Sequence, residues 1–134
     1  MVDALREAHR ALQPEGVLID ERPLVADMAV QVVHGDRAIW TRQVPSCSTP
    51  GDIEAADEAV QHALASEWFA YERSSAFDFD SYCDTVAELQ TYIKARKLLE
   101  AEIPYQELEE CQKQSAQSRL RCRRKWILKT FRRR

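Results

Sequence analysis

Residues 119–134 read "RLRCRRKWILKTFRRR", and the alternation in this run restricts the fold more than any other feature. Leu120, Cys122, Trp126 and Leu128 fall on even positions, with Arg124 the exception, while Arg119, Arg121, Arg123 and Lys125 fall on odd ones. A repeat of two is the side-chain period of an extended strand. The run therefore predicts a strand with one core face and one basic face, inserted in a sheet. The rest of the chain must supply its neighbours.

The same run concentrates charge. It holds nine of the nineteen Lys and Arg and no acid, so residues 1–118 carry ten basic against twenty-two acidic side chains, a net of −12 against +9. Blocks of this kind mark nucleic-acid or membrane contact in some proteins. A basic strand can equally lie against the acidic body of its own chain, and with a sequence pI near 5.6 that is the expectation here. Arg interleaved with Trp126 and Phe131 could stack on single-stranded nucleic acid, but the acidic remainder argues against such a partner.

Neighbouring strands are legible upstream. A helix over residues 4–13, with Asp3 as its cap, carries Leu5, Ala8 and Leu12 on one stripe. Pro14 and Gly16 stop it, and Val17-Leu18-Ile19 then reads as a strand covered on both faces. Strands over 28–33 and 38–44 flank "HGDR", where Gly35-Asp36 suits a two-residue hairpin turn. A helix over 52–66 follows, capped by Asp52. Residues 68–79, "WFAYERSSAFDF", are ambiguous between the end of that helix and extended structure, although Phe77 and Phe79 alternate with Asp78 and Asp80 as a strand would. Helical patterning resumes over 84–117. Thr85 and Glu88 form a capping box there, one helix runs to Ile103-Pro104, and another runs from Tyr105 to about Gln117. The expected fold is a single α/β or α+β domain over 1–134. Its sheet is built from 17–20, 28–33, 38–44 and 119–131 and is covered by these helices.

Four cysteines without a C-x-x-C pair, and no signal peptide, read as free thiols in a cytoplasmic protein. No apolar run approaches the roughly 20 residues that span a bilayer. His9, His34 and His62 lack metal-ligand spacing, and no Ser or Cys has a base proposed beside it. Asp20-Glu21 follow the first strand, where ligands of open α/β sheets bind, and could position a substrate amine or act as a base; a solvated strand end paired with Arg22 is the simpler account. Trp40, Trp68, Phe69, Tyr71, Phe77, Phe79 and Tyr82 could line a pocket or serve as core. Contact with a substrate or partner is therefore expected, if anywhere, at Asp20, Glu21, Trp40, Arg121, Arg123 and Lys125.

The stretch "LREAHRALQPEGVLID" resembles the helix and fifth-strand entry of class I S-adenosylmethionine-dependent methyltransferases, which reads roughly L-x-E-x-x-R-x-L-x-P-G-G. The matching residues are Leu5, Glu7, His9, Arg10, Leu12, Pro14 and Gly16, followed by Val17 to Asp20; Glu15 stands where that family commonly has its first Gly. The later "FDFD", the capped helix and the final strand are similar to the family's closing hairpin. The resemblance implies the C-terminal half of that sheet. The family's cofactor-binding half carries a Gly-rich turn, and the three glycines here, Gly16, Gly35 and Gly51, form no G-x-G-x-G. No cofactor-binding residue is therefore carried over, and the chain alone is expected to bind none. S-adenosylmethionine would bind only when an N-terminal half completes the sheet. The alternative is a non-catalytic module that forms a homodimer, or joins a complementing chain, through its sheet edges.

Overall fold

The computed structural model describes residues 1–24, 27–45, 50–96 and 103–134. The elements in chain order are α1 (Val2–Ala11), β1 (Val17–Pro23), β2 (Met28–His34), β3 (Arg37–Val44), α2 (Pro50–Ala65), β4 (Phe69–Cys83), α3 (Val86–Ala95), α4 (Tyr105–Gln114) and β5 (Arg119–Arg133). The mixed α/β fold contains one five-stranded sheet in the order β1-β5-β2-β3, with β4 also paired to β5. β5 is 15 residues long, enough to take β1 antiparallel along 126–132 and β2 antiparallel along 119–123. The described residues form two compact units: residues 1–23, 49–77 and 126–134, and residues 24–48 and 78–125. β4 and β5 each contribute to both.

In the first unit, α1 and α2 pack on β1 through Leu5, Leu12, Leu18, Val60, Ala63, Phe69 and Phe131. The stripe expected on α1 thus finds its core. Its cap does not: Met1 occupies that position with no side-chain bond, and Asp3 sits in the first turn, paired with Arg6 at 3.4 Å. Asp52 likewise lies inside the first turn of α2. Beyond α1 the chain turns where Gly16 N–H donates to the Gln13 carbonyl at 2.8 Å. A Cβ on Gly16 would lie 2.8 Å from that same oxygen, so the turn admits only glycine without shifting backbone. The expectation that β1 is covered on both faces is overturned: Val17 is 43% and Ile19 60% exposed. Leu18 alone of the three faces the helices, because successive strand residues point to opposite sides.

In the second unit, Met28, Val30 and Val32 of β2 join Leu120 and Cys122 of β5 beneath α3 and α4, whose Val86, Leu89, Ile93 and Leu108 complete the core. Gly35 turns the β2–β3 hairpin at φ +59°, the positive value expected for it. A bulge at Val32/Val33 shifts its register. Thr85 Oγ1 accepts the Glu88 N–H at 3.2 Å, and Glu88 Oε2 accepts the Asp84 N–H at 2.7 Å. The capping box is therefore formed, with its return bond one residue further back than the motif places it. α4 ends at Gln114, three residues short of the expected boundary. The preceding helix, expected to run to Ile103-Pro104, is described as α3 as far as Ala95; residues 97–102 lie outside the described residues, and Ile103 and Pro104 are not helical.

Two further differences concern strands. Residues 69–83 are extended throughout, which resolves the ambiguity of the aromatic segment and adds a strand to the expected sheet. The expected division of β5 also holds only at its start. Leu120 and Cys122 are buried, but Arg121 is only 5% exposed on the face expected to be solvated. Further along, buried Phe131 sits on an odd position, while Trp126 and Leu128 are half-buried.

Candidate functional site

In the first unit, the C-terminal end of β1 carries a charged cluster. Arg22 Nη2 donates to Asp20 Oδ2 at 2.6 Å and to Asp57 Oδ1 of α2 at 2.9 Å. Lys129 of β5, opposite Asp20 in the ladder, donates to the same Asp57 oxygen at 3.4 Å. Two cations thus balance two carboxylates. Beside them lies a cavity of about 120 Å³ whose walls include Leu5, Leu18, Ile19, Asp20, Arg22 and Val60. Arg22 Nε and Nη1 are buried without an acceptor among the described residues, a cost of about 1–3 kcal/mol per donor in other proteins. Glu21 does not join Asp20. It is exposed, and adjacent strand residues point to opposite faces. The two carboxylates therefore do not converge as an acid–base pair.

In the second unit, a polar ladder crosses three strands. Arg121 Nε donates to Gln31 Oε1 at 2.7 Å, and Gln31 Nε2 donates to Thr41 Oγ1 at 3.2 Å. Each partner sits opposite the next in the antiparallel register. Arg123 grips Asp80 through two parallel bonds, Nε to Oδ1 at 2.7 Å and Nη2 to Oδ2 at 2.8 Å. That fork holds the Asp80 carboxyl below its ordinary range, against the opposing effect of burial, and raises the Arg123 guanidinium. Lys125 pairs with Asp78 at 2.7 Å. Arg123 and Lys125 share a shallow basin of about 130 Å³ with Asp27, Ala29, Gln43 and Asp78. Both signs of charge line it, an arrangement that can hold a dipolar group.

Of the six sequence-expected residues, Arg121, Arg123 and Lys125 therefore stand together on β5. Trp40 does not join them. It packs against the helix-covered core, with the Arg42 guanidinium 5.7 Å from its ring centroid and Arg42 paired with Glu107 of α4. Asp20 and Glu21 belong to the other unit. Residues that sequence reasoning left without a role include Gln31, Asp57, Asp78 and Asp80. For Asp78 and Asp80 a signal existed: acids alternating in "FDFD" match the cations alternating on β5. For Asp57, 35 residues from Arg22, nothing local marks the pairing.

The self-complementing account of the basic run is met in detail. Arg119 pairs with Asp84, Lys129 with Asp57, Arg132 with Glu72 and Arg134 with Glu67, in addition to the pairs made by Arg123 and Lys125. Among the described residues no group of His, Cys, Asp and Glu could hold a metal ion, and no helix is long and apolar enough to cross a membrane. Comparison with family models, curated proteins and solved structures finds no match to this chain.

Proposed function

We propose that the chain is the substrate-side half of a class I methyltransferase-type sheet and acts when a cofactor-binding half completes it. The observation that carries this reading is the open edge of β1. Among the described residues β1 pairs with β5 alone, so the backbone N–H and C=O groups along its other edge have no strand beside them. An open edge of this kind is a pairing surface.

Three further features support it. The unit begins with the helix, turn and strand that carry the family resemblance. The last strand returns antiparallel to β1 and also pairs with the aromatic β4, as a closing hairpin would. Glu15 takes φ +65°, a conformation native to glycine, at the position where the family commonly has one. In this reading the Asp20–Arg22–Asp57 cluster, at the carboxyl end of β1, forms one wall of the substrate pocket. S-adenosylmethionine binds on the completing half, because the chain contains no Gly-rich turn.

Calorimetric titration of S-adenosylhomocysteine tests this, first into the purified chain and then into a fusion placing the cofactor-binding half of a class I methyltransferase ahead of α1. No heat from the chain and micromolar binding by the fusion are expected. Micromolar binding by the chain alone would overturn the division of labour. A folded fusion that leaves β1 amides as quick to exchange as in the chain would replace this reading with the non-catalytic interaction module.

A further inference from the structure

The outer edge of β4 carries an inference that does not depend on the methyltransferase reading. β4 is 15 residues long, against about 5–6 for an ordinary strand. Among the described residues it pairs with β5 alone. Residues 71–76 are all exposed, Tyr71 at 52%. Proteins blunt such edges with lysine, proline, bulges or brevity. β4 contains neither Lys nor Pro, and of the two charged residues in the exposed stretch, Glu72 and Arg73, the first is already engaged by Arg132 at 2.5 Å.

We propose that β4 pairs antiparallel with β4 of a second copy, about a two-fold axis through Ser74. An axis normal to the sheet keeps each face on its own side, so every residue must oppose one of its own parity. Only a few registers centred on the exposed stretch meet that condition, and charge discriminates among them. An axis through Tyr71 overlaps only residues 69–73 of the 15-residue strand, and one through Glu72 or Arg73 sets that charge against itself. Through Ser75 it opposes Glu72 to Asp78, and through Ala76 it opposes Glu72 to Asp80. Through Ser74, Glu72 meets Ala76, Arg73 meets Ser75, and Tyr71 meets Phe77 as a cross-strand aromatic pair. No like charges then stand directly opposite, and aromatic pairs of this kind stabilise antiparallel strands.

The test is sedimentation velocity combined with cysteine cross-linking in a Cys47→Ser, Cys111→Ser background. At about 50 μM protomer, where mass action favours assembly, the chain sediments as a dimer. Ser74→Cys faces its own copy across the axis, within disulfide reach. It cross-links under mild oxidation at least about tenfold faster than Ser75→Cys, which faces Arg73. Ser74→Lys sets two ammonium groups across the axis and gives a monomer with unchanged far-ultraviolet circular dichroism. A wild-type monomer at this concentration would overturn the proposal, as would equal cross-linking of the two cysteine variants.

Discussion

Glu15 holds its backbone at φ +65°, where a side chain costs an L-residue roughly 1–2 kcal/mol. Its long contact with Arg132, 3.9 Å between largely exposed groups, offsets little of that. Glu15→Gly is therefore expected to stabilise the fold by about 1 kcal/mol in urea denaturation, even though glycine is the more flexible residue. Gly16 answers in the opposite sense: Gly16→Ala drives a Cβ onto the Gln13 carbonyl and should destabilise. At Asp80 the coupling is to pH. The carboxyl is held low chiefly by the hydrogen bond from Arg123, so its folded pKa lies below its unfolded one. The stability it contributes is present in full above the unfolded value of about 4 and is lost as the pH falls through the folded value. Asp80→Asn should cost about 1 kcal/mol at pH 7 and flatten the acid limb of a stability profile measured between pH 2 and 6.

Among the elements, α3 has its start fixed by side chains. Removing its cap with Thr85→Ala should cost about 1 kcal/mol, visible as a lower urea midpoint with unchanged slope. The same element shows why some of the fold is readable from residue order and some is not. The capping box, the Gly35 turn and the α1 stripe are signals confined to a few adjacent residues, and all three appear in the structure. β4 is different. Glu72, Arg73 and Ala76 are compatible with helix or strand, and only pairing with β5, some 50 residues later in the chain, decides between them. The face of β5 is undecidable locally for the same reason: Arg121 is buried because Gln31 of β2 accepts its Nε–H, a partner ninety residues away. The site follows this rule too. Its cations are announced by alternation, whereas Asp57 and Gln31 are recruited by folding.

For the molecule as a whole, two bulk properties follow from these contacts. The basic strand and acidic body are joined by pairs whose side chains are mostly half-exposed, so salt screens attractions more than repulsions. Raising NaCl to about 1 M should lower the melting temperature by a few degrees. Two of the thiols should be quiet. Burial pushes Cys122 up to about 12 and raises Cys83 as well, which leaves both protonated and unreactive at pH 8. Ellman's reagent should reach half-buried Cys111 well before either, and Cys83 and Cys122 only after unfolding. The position of β5 has a further consequence for how the protein is made. β1, β2 and β4 leave the ribosome before the strand that joins them, and among the described strands only the β2–β3 hairpin can form its ladder without it. Until residues 119–133 emerge, much of the sheet exists as open edges. For this chain, chaperone contact in the interval before β5 pairs should govern yield more strongly than the stability of the finished fold.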